Sequence, residues 1–200
     1  MALDEVVLTQ AVFPIVRVYG WLRPSVSIGY FEEWRPVAER YPDREFVRRW
    51  TGGGVVLHGE DWTYSVIVPR SEPFARMPAA ESYKVLHEKL AEAFSLGGVA
   101  SELTPAAQPK VSQACFENPA QFDLLTAGRK IAGAAQRRSR FGLLHQGSVQ
   151  GVDIPVRFEE RLAGVLGSQI VDRGLSDVEL DAAVRLAAAK YATVEWNRKY

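Results

Sequence analysis

The chain has 200 residues, enough for one large domain or two small ones with a substantial core. Apolar residues make up 47% and charged residues 24%, ordinary globular values that exclude wholesale disorder. Lysine plus arginine equals aspartate plus glutamate at 24 each, so no global charge calls for nucleic acid or an anionic membrane, though local basic clusters such as Arg137, Arg138 and Arg140 are fit for an acidic partner.

One cysteine excludes an internal disulfide framework and fits a reducing compartment. No apolar run approaches the ~20 residues needed to span a bilayer, and the first residues lack a signal-peptide layout. The expectation is a soluble cytoplasmic protein.

Residues 1–11 suit a short helix. "IVRVYGW" (15–21) and "SVSIGY" (25–30) read as strands joined through Leu22, Arg23 and Pro24. "EFVRRW" (45–50) runs into a glycine turn at 52–54, and "GVVLH" and "WTYSVIVP" read as strands on either side of Gly59-Glu60-Asp61. Between Ala79 and Leu96, Tyr83, Leu86, Leu90 and Phe94 recur at helical spacing, and Gly97-Gly98 ends the run. "FDLLTAGRKIAGAAQRR" has the form of a β-hairpin turning at Ala127-Gly128, and "FGLLHQGSVQG" (141–151) predicts a further strand. "FEERLAGVLG" (158–167) is a short helix pattern, and Ser176 to Glu179 is a capping box opening a helix to about Lys190. This order predicts an α+β fold, a mixed, largely antiparallel sheet packed with helices, in one domain over residues 1–200.

The chemistry-bearing residues are few. Cys115 is either an inert core thiol, the commoner state of a lone cysteine, or a nucleophile. The second reading needs a nearby cation, because an ammonium favours thiolate over thiol. Lys130, fifteen positions on and across the predicted hairpin, is the candidate. In "RRWTGGGVVLH" (48–58), consecutive glycines permit positive φ and leave N–H groups unshielded, so the loop can wrap an anion or simply connect two strands. No Walker A pattern occurs. His58, His87 and His145 lack metal-ligand spacing, so no metal site is expected. His87 reads as a surface or boundary residue, and His58 and His145 as local structural ones. No local motif suggests a Ser-His-Asp order. Ala132-Gly133-Ala134-Ala135 suits close packing under a helix or the floor of a narrow channel.

Together these segments resemble the lipoate–protein ligase and octanoyltransferase family, which shares its catalytic fold with biotin protein ligases. The resemblance rests on "MALDE" (1–5), "VRVYGW…SVSIGYF" (16–31), "RRWTGGGVVLH" (48–58), "TYSVIVP" (63–69), "CFENP" (115–119), "GRKIAGAAQRR" (128–138), "LLHQGSV" (143–149) and "KYATVEWN" (190–197), in the family's order along nearly the whole chain. The glycine and "GRKIAG" motifs are common to ATP-using ligases and ATP-independent transferases. "CFENP" is similar to the cysteine motif of the transferases that work through a thioester, and its interval to Lys130 also matches. Three departures stand out. The family carries about one more strand before "MALDE", so the chain is expected to lack the family's first strand. The loop has three glycines where some cysteine transferases carry an arginine. "LLHQGS" reverses the "QHGS" order.

The resemblance implies that Cys115 carries the acyl group and that Lys130 lowers its pKa and contacts the acyl carbonyl. It further implies that Arg49, Gly52, Gly53, Gly54, Val55, Val56, Leu57, His58, Gly133, Ala134 and His145 bind substrate. The implied reaction moves octanoyl from acyl carrier protein to a lysine of a lipoyl domain, on glycine-cleavage H protein or a 2-oxoacid dehydrogenase E2, in lipoate biosynthesis and protein lipoylation. It needs no cofactor. Two alternatives remain: an ATP-dependent lipoate ligase working through lipoyl-AMP with ATP and Mg, and a non-catalytic module that binds lipoyl domains or acyl carriers.

Overall fold

A computed structural model describes residues 1–107 and 119–200, and Cys115 lies outside the described residues. Helix α1 (Ala2–Gln10) leads into β1 (Ile15–Tyr19) and β2 (Ser25–Ile28), then a short helix α2 (Arg35–Arg40) and β3 (Glu45–Arg48). Strands β4 (Val55–His58) and β5 (Trp62–Pro69) precede the long helix α3 (Ala79–Leu96). Strands β6 (Glu102–Leu103), β7 (Leu124–Thr126), β8 (Arg129–Ser139) and β9 (Gly142–Val149) follow, and α4 (Phe158–Leu166), α5 (Asp177–Leu186) and α6 (Val194–Asn197) close the chain.

The α+β expectation holds, with strands divided between two sheets. Six strands in the order β1-β5-β9-β8-β7-β6 form a wholly antiparallel sheet, and β3-β2-β4 form a small mixed one. The small sheet's single parallel pair, β2 with β3, needs a crossover, and α2 supplies it. Pattern reading missed α2 because Trp34-Arg35-Pro36 opens six residues too short to show a helical period. The hairpin turn is where the sequence places it: Ala127 and Gly128 both have positive φ (47° and 73°), the two-residue geometry that matches strand twist.

Alternation along the strands sorts side chains between two cores. Tyr64, Val66, Val68, Leu143 and Val149 point to one face of the large sheet, where α3 and α4 cover them with Leu90, Phe94, Phe158 and Leu162. Ile67 and Leu144 point to the other face, against Val7 and Leu8 of α1. The α1 face also meets the small sheet, and here buried polar groups replace part of the apolar contact: Thr63, Ser65, Gln146 and Ser148 are all under 9% exposed. Such groups are tolerable only when hydrogen-bonded, and their partners mark the candidate site. Among the described residues no helix is long and apolar enough to cross a membrane.

Candidate active site

The glycine loop sits between the two sheets and is held from two directions. Arg49, at the end of β3, donates from Nη2 to the carbonyls of Gly52 (3.0 Å) and Gly54 (2.8 Å). Its Nη1 donates to the Ser27 carbonyl (2.9 Å) and Oγ (2.7 Å). Thr51 donates to Gln146 Oε1 (2.9 Å), and Gln146 Nε2 donates to the buried Asp4 carboxylate (2.6 Å), itself ion-paired to Arg17 (2.7 Å). Two glycines are obligatory. Gly53 has φ of 82°, and a Cβ on Gly29 would lie 1.7 Å from the Gly53 carbonyl oxygen. The loop therefore rests directly on the β2 backbone.

Beside the loop runs β8. Its Gly133 and Ala135 pair with Ser148 and Gln146, so they share the face toward the loop, and a Cβ on Gly53 would meet Ala135 Cβ at 3.4 Å. Lys130 reaches this face. A Cβ at Gly133 would lie 2.7 Å from Lys130 Cε and 2.8 Å from Nζ. The ammonium is 6% exposed and paired at 2.7 Å with Asp123 Oδ2, 1% exposed. Asp123 is itself fixed by the Tyr83 hydroxyl (2.5 Å) and by the Ala120 N–H (2.6 Å), and the Tyr83 oxygen accepts from the Ala134 N–H (2.9 Å). Burial, the carboxylate's field and the hydrogen bond to it hold the Tyr83 phenol well above its ordinary pKa, so Tyr83 donates as a neutral hydroxyl. Lys130 is thus a buried, oriented cation against Gly133, on the strand whose Ala135 meets the glycine loop.

The structure divides the other expected site residues. Val55 and Leu57 point away from the large sheet into the small core of Val26, Ile28 and Val37, so only Val56 and His58 of β4 face the loop side. Of Val55 and Val56, both expected to bind substrate, only Val56 therefore faces the loop side. Ala134 is on the opposite face from Gly133, opposite Gly147, and meets the site through its N–H. His145 also points to the α3 face, between the Tyr64 hydroxyl (3.3 Å) and Gln136 Nε2 (3.2 Å), and burial keeps its imidazole neutral, with His87 and Arg138 adding to the effect. The sheet separates it from the glycine loop.

His87 is a correction. It is fully buried rather than a surface or boundary residue, because its Nδ1–H has the Phe122 carbonyl as an acceptor at 2.6 Å and its ring lies tilted against Tyr83, centroids 4.2 Å apart. His58 belongs to a hydrogen-bond network that spans distant parts of the chain. Its Nε2 is 2.6 Å from Ser27 Oγ and its Nδ1 2.7 Å from Asp61 Oδ2, a Ser-His-Asp constellation no local motif suggested. The signal is invisible in sequence order because the register of β2 against β4 brings Ser27 and His58 to one face from 31 residues apart. Among the described residues no cluster of His, Cys, Asp or Glu is arranged to hold a metal ion.

Comparison with known proteins identifies the family and agrees with the fold. The family model of the lipoyl protein ligase A/B catalytic domain matches residues 1–162. Octanoyltransferase LipM of Staphylococcus aureus is 37% identical, over 80% of this chain and 64% of that protein. Octanoyltransferase LipM of Bacillus subtilis is 30% identical, over 100% of this chain and 93% of its own. The chain thus spans a little under two thirds of the first relative and most of the second. Among solved structures, lipoate-protein ligase A bound with ATP matches at a TM-score of 0.73 and 21% identity, covering 98% of this chain and 92% of that one. A T. acidophilum protein with bound lipoic acid matches at 0.77 and 21%, covering 100% and 92%. At such identities the structures speak for the fold. The model match over most of the chain and relatives above 30% identity place this chain in the lipoyl protein ligase A/B catalytic domain family.

Proposed function

We propose that the chain is an octanoyltransferase of lipoate biosynthesis, moving octanoyl from an acyl carrier protein thioester to a lipoyl-domain lysine through a thioester on Cys115. The observation that carries the reading is the kinship with octanoyltransferases LipM along the whole chain. The burial of Lys130 against Gly133, beside the glycine loop, supports it. The Cys115 thiolate attacks the donor carbonyl, the new C–S bond forms, and the phosphopantetheine sulfur leaves and takes a proton. The neutral amine of the acceptor lysine then attacks the enzyme thioester. Cys115 leaves as thiolate and the nitrogen loses a proton, giving an amide. Thioester to amide runs downhill, so no nucleotide is consumed. Lys130 stabilises the oxyanion of both steps, an effect of about 3 kcal/mol. The chain of the acyl group lies along Val56, Gly133 and Ala135, each buried methylene contributing about 0.8 kcal/mol.

Intact mass spectrometry after incubation with octanoyl-acyl carrier protein, with and without ATP, tests this. One octanoyl group on Cys115 without ATP, passed on to an added lipoyl domain, is the expected result. Acyl-AMP formed only with ATP would replace it by a ligase, and binding without either chemistry by a recognition module.

A further inference from the structure

Ser27, His58 and Asp61 reproduce the hydrogen-bond order of a hydrolytic triad, yet nothing in the proposed transfer uses them. Asp61 accepts from four groups. The Thr63 (2.8 Å) and Ser148 (2.7 Å) hydroxyls and His58 Nδ1 reach Oδ2, and the Gly59 N–H reaches Oδ1 (3.0 Å). Burial pushes its carboxyl up, but the donors from His58, Ser148 and Gly59 outweigh that and hold it down at about 2. A carboxylate only accepts, so His58 carries its proton on Nδ1 and presents a bare Nε2 lone pair. Burial keeps the imidazole neutral against the pull of Asp61. The Ser27 hydroxyl must then donate to Nε2, which turns its oxygen lone pair to Arg49 Nη1.

Ser27 makes a poor nucleophile. Its side chain is fully buried within β2, and its oxygen already holds a guanidinium proton at 2.7 Å, which withdraws the electron density an attack requires. The same chain of bonds suits another task, because Arg49 is the residue that grips the carbonyls of Gly52 and Gly54.

We propose that Ser27, His58 and Asp61 are positioning residues that fix the direction of the Ser27 hydroxyl so that Arg49 holds the glycine loop in its acyl-receiving shape. The relay converts a choice of histidine tautomer into loop order. With the proton on Nδ1, every donor from Asp61 to Gly54 has an acceptor. With the proton on Nε2, Ser27 faces two donors, and its own proton loses the acceptor it had. Leaving such a buried group unsatisfied is expensive enough to loosen the clamp. The kinetic consequence rests on the transferase reading; the structural consequence does not.

Asp61→Asn tests the relay. The Gly59 N–H is a fixed donor that only the amide oxygen can meet, whereas the Thr63 and Ser148 hydroxyls can rotate to accept, so the amide nitrogen faces His58 Nδ1 and forces the proton to Nε2, as it does in the serine-protease triad. Nitrogen-15 NMR of the His58 ring is expected to show the Nδ1–H tautomer in the natural protein and Nε2–H in the variant. Amide exchange at 52–54 should quicken at least tenfold while the α3 core keeps its protection. KM for octanoyl-carrier protein should rise about tenfold with kcat within threefold. Ser27→Ala should loosen the loop likewise, and Ser27→Thr should restore it. A switched tautomer with unchanged exchange at 52–54, an Nε2–H tautomer in the natural protein, or labelling of Ser27 by a fluorophosphonate would each overturn the relay. If the natural protein transfers no octanoyl, the transferase reading fails alone, and tautomer and exchange still decide the relay.

Discussion

Lys130 Nζ lies 2.7 Å from Asp123 Oδ2 in a pocket that leaves the two side chains 6% and 1% exposed. The ammonium proposed to act in the transfer is therefore one half of a buried pair, and Asp123 at once orients it and offsets part of its field. Removing one partner of such a pair strands the other charge, at a cost of about 3–5 kcal/mol. Asp123→Asn should lower unfolding stability by about 3 kcal/mol, read from urea denaturation. A loss below about 1 kcal/mol, the range of exposed pairs, would mean that Lys130 finds another counterion.

Gly29→Ala and Gly133→Ala should separate fold from chemistry. At Gly29 the new methyl would meet the Gly53 carbonyl at 1.7 Å, and backbone has to move. Overpacking of this kind costs about 3 kcal/mol, and the displaced loop should abolish transfer as well. At Gly133 the methyl meets the flexible end of the Lys130 side chain, which can swing aside with its ammonium still on Asp123. Gly133→Ala should keep its melting temperature within a few degrees and still lose at least tenfold in transfer rate. If both variants behave alike in melting and in activity, the space around Lys130 is not what matters at Gly133.

Much of this architecture is legible in the chain, and the exceptions have physical causes. Helix α3 runs from Ala79 to Leu96 as its periodicity predicts, and Ser176 with Glu179 forms the capping box its spacing announces. Local patterns settle both. The division into two sheets, the opposite faces of Val55 and Val56, and the separation of His145 from the glycine loop all depend on register between distant strands. No window of residues contains that information. The resemblance assigned Lys130 and the glycine loop to one site, but it said nothing of Asp123, Tyr83, Ser27 or Asp61, which hold those residues through hydrogen bonds and ion pairs. The expected role of Cys115 lies outside the described residues and rests on the family's chemistry.

Cys115→Ser is the direct test of that chemistry. A serine hydroxyl stays protonated at neutral pH where a thiol beside a cation ionises, and the change is nearly isosteric. Octanoyl transfer should fall by about three orders of magnitude or more, with the circular dichroism spectrum and melting temperature unchanged. Full activity in the purified serine variant would rule out the thioester route.

The buried histidines predict an acid-labile fold. His87 is fully buried, and burial lowers its pKa from 6.5 to about 4, opposed by the Asp123 carboxylate and the Phe122 carbonyl. His145 is pushed down well below its ordinary value by burial, by His87 and by Arg138. A group whose folded pKa is depressed binds its proton more readily unfolded. The stability owed to its neutral form is therefore complete above about pH 6.5 and drains away as pH falls toward 4. For His87 alone the full loss is about 3 kcal/mol. Urea denaturation at pH 7.5, 6, 5 and 4.5 should show stability falling through this window, before the carboxylates titrate. His87→Gln, which has no proton to take up, should flatten the His87 share of the slope even if it lowers the plateau. A stability that stays level from pH 7 to pH 4.5 would mean that α3 opens enough to solvate His87 and His145 in the folded state, and the tight core beneath α3 would have to be redrawn.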